Sequence, residues 1–399
     1  MVHPAPLTVR SPEEAAEAVR KHARLLPRGG ATKPALCAPP AGAAALDLRG
    51  LRGIVEYDPA EYTLTALAGT PLAEVEILLG RAGQYLPFDP PFAPAGATLG
   101  GTVAAGLSGP GRHRYGGVRD FVIGVRFVDG TGALVRGGGR VVKNAAGFDL
   151  PKLMVGSLGR LGVLVEVSLK VFPRPEATAT VRLDRPALPE ALEALVRLER
   201  APFDLEAVDL EPPGRLWLRL GGNASALGAR IDRLRAFLGG GEVIPPEEEG
   251  RLWEAAREFA WAPPDAALVK VPLTPRRIPP LEAALDRQAG RPAAGDDTGG
   301  AAGNHAAGAG GDHAVGVAGP SPAAVPLRRY SAGGQVAWVV WSQDLETLHD
   351  LLAGLGLRGL VIRAPRPSAR PLLGAPLEQA FLRRVKAALD PHDRFPEVA

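Results

Sequence analysis

The chain has 399 residues, enough for two domains that each bury a core. Lys and Arg total 46 against 43 Asp and Glu, leaving a net charge of +3. The basic residues are scattered without interleaved aromatics, which argues against nucleic-acid binding. A single cysteine, Cys37, excludes an internal disulfide and a Cys-ligated iron–sulfur cluster within this chain. No apolar run is long enough to span a membrane and no signal segment opens the chain, so a cytoplasmic protein without a transmembrane segment is expected.

Ser11 caps a helix that begins at Pro12, and Glu14 completes a capping box. Leu25-Leu26 reads as a buried strand feeding the loop Arg28-Gly29-Gly30-Ala31-Thr32-Lys33. Strands are expected near 54–57 and 62–68, then a helix from Pro71 with Thr70 as its cap and Gly83 as its stop. Residues 122–128 form a strand, and Asp129-Gly130 predicts a hairpin turn. In 163–172 the alternation puts Val163, Val165, Val167 and Leu169 on one face, with Glu166, Ser168 and Lys170 on the other. Pro173 and Pro175 then mark a boundary. Strands at 177–183, 205–210, 216–220, 267–271, 336–341 and 360–363, with helices at 189–200, 227–238, 252–259 and 345–352, predict an α+β unit with an antiparallel sheet and helices on one face. Residues 290–324 are Gly, Ala, Asp and Pro with almost no large apolar side chain, the composition of a disordered insertion.

Three segments suit a ligand with phosphates and a flat ring. Backbone N–H groups in the 28–33 loop can converge on phosphate oxygens, with charge from Arg28 and Lys33 and a hydroxyl from Thr32. The loop is neither a Walker A loop nor a dinucleotide fingerprint opening a helix, and alone it also suits an ordinary surface turn. Small residues dominate from Gly96, Ala97, Thr98, Gly100 and Gly101 through Ser108 and Gly109 to Tyr115, Gly116 and Asp120. A third Gly-rich run, Gly159-Arg160-Leu161-Gly162-Val163, enters the alternating strand.

Together, in order and spacing over roughly residues 5–175, these clusters resemble the FAD-binding domain of the vanillyl-alcohol oxidase / p-cresol methylhydroxylase (PCMH-type) group. Residues 142–150, Gly333-Gly334-Gln335-Val336-Ala337-Trp338 and 386–392 are similar to the small FAD-binding subunits of bacterial glycolate oxidases, the GlcE type. Ala31 stands where that family usually has a third glycine. The resemblance implies a PCMH-type FAD domain of two α/β subdomains over 1–175. A smaller α+β cap domain follows over 176–365, and a C-terminal segment, 366–399, packs back on the FAD domain. It also implies non-covalent FAD, with residues 29–33 on the pyrophosphate, the 96–101 and 108–116 segments along the dinucleotide and flavin, and Gly159, Gly162 and Val163 along the flavin or adenosine.

The seven histidines are widely separated, and no metal site is expected. By residue type alone His113 is a candidate base, and Arg112 or Arg114 a candidate partner for a substrate carboxylate. Three functions remain open at this point. One is an FAD subunit of a glycolate oxidase or dehydrogenase complex, working beside a larger FAD-binding subunit and an iron–sulfur subunit, peripheral to the membrane only through those partners. The others are a self-sufficient FAD oxidoreductase acting on a 2-hydroxy acid or sugar, and a flavin-bearing structural subunit.

Overall fold

The structure, a computed structural model, describes residues 6–38, 40, 42–139, 149–289, 326–365 and 370–397. The motif at 142–148 and the stretch expected to be an insertion at 290–324 lie outside the described residues.

The first helix, Pro12–Lys21, starts where its cap predicts: Glu14 N–H donates to Ser11 Oγ at 3.1 Å. The Glu14 carboxylate reaches one residue beyond the cap, accepting from Arg10 N–H at 2.7 Å. Its Ala15, Ala18 and Val19 face covers a three-stranded parallel sheet ordered Leu7–Thr8, Ala44–Asp47, Leu25–Arg28.

Next to it stands a five-stranded antiparallel sheet ordered Ile54–Asp58, Thr63–Leu67, Val163–Lys170, Val122–Val128, Leu134–Gly138. Val163–Lys170 is its middle strand, and both of its faces are covered. Glu166 and Ser168, on the face opposite Val163, Val165 and Val167, are buried. Arg126 pairs with Glu166 at 3.3 Å, and the Ser168 and Thr65 hydroxyls are 2.8 Å apart, which satisfies groups that would be costly to bury alone. The helix Leu72–Arg81 has Pro71, not Thr70, at its cap. The Thr70 hydroxyl instead accepts from Gly53 N–H at 3.0 Å and fixes the loop before the first strand of this sheet. Gly83 ends the helix in the left-handed region at φ 64°, as expected. The turn after Val122–Val128 is longer than a two-residue Asp-Gly hairpin. Asp129 Oδ1 accepts from Thr131 and Ala133 N–H, and Gly132 takes the positive φ of 81°.

The C-terminal unit is a nine-stranded antiparallel sheet. Its order is Glu242–Val243, Ala177–Asp184, Arg215–Gly222, Ala207–Glu211, Arg328–Ser331, Val336–Trp341, Ala267–Pro272, Arg358–Arg363, Leu372–Gly374. Helices Leu188–Glu199, Ala224–Leu238, Ile278–Gln288 and Leu345–Gly354 share a core with one face, through Val269, Val271, Ala337, Val339 and Trp341. The alternate residues Leu268, Val336, Trp338 and Val340 join the core of the N-terminal unit instead. A period of two thus divides Val336–Trp341 between two cores, and all six of its residues are buried. Ile278–Gln288 and Arg328–Ser331 were not expected from the pattern.

The last helix, Gln379–Leu389, and the tail rest on the N-terminal unit. Leu25 N–H donates to Arg394 O at 2.7 Å, and Phe395 is buried against the parallel sheet. Buried Lys386 Nζ ties Arg160 O, Phe395 O and Asp390 together at 3.0, 2.7 and 2.5 Å.

Candidate active site

Three of the expected segments meet in one cleft. Residues 28–33 follow the strand Leu25–Arg28 and run into the short helix Pro34–Cys37. Opposite them, Thr98 caps the helix Leu99–Ala105, its Oγ1 accepting from Gly101 N–H at 3.3 Å. Ser157, Leu158, Gly159, Gly162 and Leu164 form the third wall, anchored by Leu158 N–H donating to Ala104 O at 2.8 Å. The cleft is partly open to solvent. Arg28, Gly29, Gly30, Ala31, Thr32, Lys33, Thr98, Gly100, Gly101, Gly159 and Gly162 all line it.

The reason for the double glycine differs from the sequence argument. Neither Gly29 nor Gly30 has a positive φ; the left-handed residue of this loop is Ala31, at φ 54°. Contact is what the glycines permit. A Cβ on Gly30 would stand 1.8 Å from Gly96 O, and one on Gly29 would stand 2.1 Å from Thr98 Oγ1.

The polar groups of the cleft suit an anion. Lys33 is 6% exposed, and its Nζ donates to Thr32 Oγ1 at 3.0 Å with no ion pair among the described residues. Burial lowers its pKa to about 8, against the weaker opposing influence of Cys37 and Glu258. Ser157 Oγ is buried with no partner among the described residues. A buried uncompensated ammonium, an orphaned hydroxyl and a backbone surface bare of side chains fit the phosphates of a dinucleotide. Cys37 also lines the cleft, but burial raises its thiol pKa and keeps it from being a ready nucleophile.

Other expected residues lie elsewhere. Val163 is wholly buried in the core shared with the parallel sheet and does not line the cleft. Gly96 and Ala97 sit behind the cleft wall, in contact with the 28–33 loop through Gly96 O. Ser108 Oγ accepts from Val118 N–H at 2.9 Å, and Asp120 Oδ2 accepts from Gly117 N–H at 2.8 Å. These bonds shape the turn around Gly116, while Gly109 packs on Asp89. The Tyr115 hydroxyl donates to Glu206 Oε1 at 3.1 Å.

Of the three catalytic candidates, His113 and Arg114 line a second cavity against the C-terminal unit, apart from the cleft, and Arg112 lines neither. His113 packs against Gly333 of the C-terminal unit, and burial lowers its pKa. Arg114 is committed to Glu206 at 2.6 Å. The Arg112 guanidinium has no hydrogen bond or ion pair among the described residues. Near it is a cation that sequence reasoning missed. Lys270, on Ala267–Pro272, points with Leu268 toward the N-terminal unit and donates to Gly106 O at 3.1 Å. Burial, reinforced by the charge of Arg112, lowers its pKa to about 8. Among the described residues Lys270 has no ion pair, and it and Arg112 act on each other as like charges near the end of the helix Leu99–Ala105. The available signal was a lysine inside an otherwise apolar strand. Among the described residues, no group of three or more His, Cys, Asp or Glu side chains could hold a metal ion.

A family profile described as "FAD binding domain" matches residues 5–138. The chain is 42% identical over 246 residues to the glycolate oxidase subunit GlcE of Escherichia coli (strain K12), covering 62% of this chain and 67% of that subunit. It is 33% identical to the glycolate oxidase subunit GlcD of Bacillus subtilis (strain 168) over 39% of this chain but only 33% of that protein. Among solved structures, an alkyldihydroxyacetonephosphate synthase aligns with 98% of this chain and 77% of its own length, with a TM-score of 0.66 and 17% identity, a likeness of fold.

Proposed function

Because the chain belongs to the family of FAD-binding glycolate oxidase subunits of the GlcE type, we propose that it is the FAD-carrying subunit of an assembly that oxidises a small 2-hydroxy acid such as glycolate. The observation that carries this reading is buried Lys33, without a carboxylate ion pair among the described residues, in a cleft where two glycines bring residues 28–33 onto Gly96 and Thr98. FAD bound there supplies a two-electron acceptor for the hydride from C2 of the acid.

The chain's own groups bind and orient. Lys33, Ser157 and the backbone of 29–33 hold the pyrophosphate. The bare walls formed by Gly100, Gly101 and Gly159 admit the rest of the dinucleotide. Arg112 and Lys270 hold the substrate carboxylate where the two units meet, and the apolar core around Trp338 and Leu268 limits water behind them. Cofactor attachment is non-covalent, since the Cys37 thiol is kept protonated by burial and His113 does not line the cleft. No base stands free beside Arg112 and Lys270 among the described residues. A larger FAD-binding subunit would complete the chemistry, and an iron–sulfur subunit would take the electrons. The location is cytoplasmic, with any membrane contact made through those partners.

The test is acid precipitation of the flavin-loaded protein, followed by glycolate oxidation with a dye acceptor by the chain alone and with its partners. All flavin should leave with the supernatant, and turnover should require the partners. Robust turnover by the chain alone would instead favour a self-sufficient oxidoreductase.

A further inference from the structure

The loop that carries Phe92 is strained and touches both units. Asp89 and Phe92 have left-handed φ values of 47° and 67°, unusual for side chains of that size, on either side of Pro90 and Pro91. Such conformations persist only where the surroundings impose them. Asp89 is held within the N-terminal unit, its Oδ2 accepting from Gly111 N–H at 2.8 Å, whereas Phe92 is held from the C-terminal unit. Phe92 N–H donates to Glu258 Oε2 at 2.7 Å, across 166 residues of sequence. The Phe92 ring lies 5.4 Å from that of Phe259, which lies 4.5 Å from Trp338 in the nine-stranded sheet. Phe259 ends the helix Pro246–Glu258 in the left-handed region at φ 58°.

Phe92 also meets Lys33, which lines the cleft. Its ring lies 5.5 Å from Lys33 Nζ, within cation–π range. Its carbonyl accepts from Ala97 N–H at 3.0 Å, between Gly96, which touches Gly30, and Thr98, which caps the cleft helix. One residue therefore joins the end of a C-terminal helix to both the cation and the backbone wall of the phosphate loop.

We infer that Phe92, pinned by Glu258, is a positioning residue for the Lys33 ammonium and couples seating of the C-terminal unit to cofactor binding. This rests on the reading of Lys33 as the pyrophosphate cation. The ring shields Lys33 from water, while Glu258 from the other unit, itself paired with Arg257 at 2.9 Å, favours the charged form; Cys37, kept neutral by burial, and Arg28 stand nearby. Removing the ring and removing the Glu258 charge should therefore move the lysine in opposite directions.

The experiment is titration of apoprotein with FAD, read by flavin fluorescence, from about pH 7 to about pH 10. Binding should weaken as Lys33 loses its proton, giving an alkaline midpoint. Phe92→Ala should weaken FAD roughly tenfold and move the midpoint up by about one pH unit, whereas Phe92→Tyr should keep both. Glu258→Gln should move it down. In a Lys33→Met background, Phe92→Ala should add less than about twofold, because its effect passes through the lysine. FAD should slow amide exchange over 254–262 in the natural protein, and less so in Phe92→Ala. An unshifted midpoint in Phe92→Ala, or fully additive losses, overturns the inference alone. Unchanged FAD binding in Lys33→Met overturns the reading of the cleft itself.

Discussion

Gly30 lies against the carbonyl oxygen of Gly96 so closely that a Cβ on Gly30 would stand 1.8 Å from it. The contact joins the 28–33 loop to the loop that leads into the helix Leu99–Ala105. Both partners are backbone or near-backbone, so neither can swing aside as a flexible side chain would.

Gly30→Ala, and more severely Gly30→Val, should therefore pry the loops apart and lower FAD affinity by more than about tenfold. Circular dichroism should stay unchanged, because the core strands do not depend on this contact. Full flavin content in purified Gly30→Val would show that the close approach is dispensable.

Ala31 should respond in the opposite sense. A left-handed alanine costs roughly 1–2 kcal/mol in the folded state, and glycine removes that cost while adding about 0.4–1 kcal/mol of unfolded-state entropy. Ala31→Gly should leave stability between unchanged and about 1 kcal/mol higher by denaturant melts, with FAD affinity equal or better. A clear loss of stability would mean that the alanine methyl has a packing role.

Stability of the apoprotein should depend on pH through Lys33 and Lys270. Their folded pKa values are lowered to about 8, so the folded state releases these protons before the unfolded state does. Between about pH 8 and about pH 10.4 the unfolded state binds more protons, and stability from these groups rises with pH. An anion bound at Lys33 reverses the preference, so FAD binding should take up a proton near pH 8 to 9. Thermal melts of the natural protein and Lys33→Met, with and without FAD, isolate the contribution. Identical pH curves for the two apoproteins would exclude it.

Arg114 and Arg112 are neighbours in sequence with different expected roles. Arg114→Ala breaks a partly exposed pair with Glu206 and should cost about 1–2 kcal/mol of stability with little effect on substrate KM in the assembled enzyme. Arg112→Ala and Lys270→Met should raise KM for the hydroxy acid at least about tenfold, with melting temperature unchanged or higher, since each variant relieves cation repulsion. An unaltered KM in Lys270→Met would remove that lysine from the substrate site.

Much of the cleft was legible in the sequence because its signals are local. Runs of residues without side chains after a strand, before a capped helix and at the start of an alternating strand are set by sterics within a few residues. Three of the expected segments accordingly line one cleft. The Ser11 cap, the Gly83 stop and most strands were local in the same way. Other features depended on pairings that no local pattern specifies. Alternation placed Glu166 and Ser168 on a face of their own but could not say that Arg126 and Thr65 from neighbouring strands meet them there. Residue type made Arg114 a candidate, but a carboxylate 92 positions away had already engaged it. Lys270 and Gly106 are 164 residues apart, and only closure of the nine-stranded sheet onto the N-terminal unit brings them within hydrogen-bond distance. The sequence by itself determined which backbone could approach a ligand, because that is a property of each residue and its neighbours. Tertiary structure decided which charges are spent on one another and which remain for a substrate, because burial and pairing belong to the folded chain as a whole.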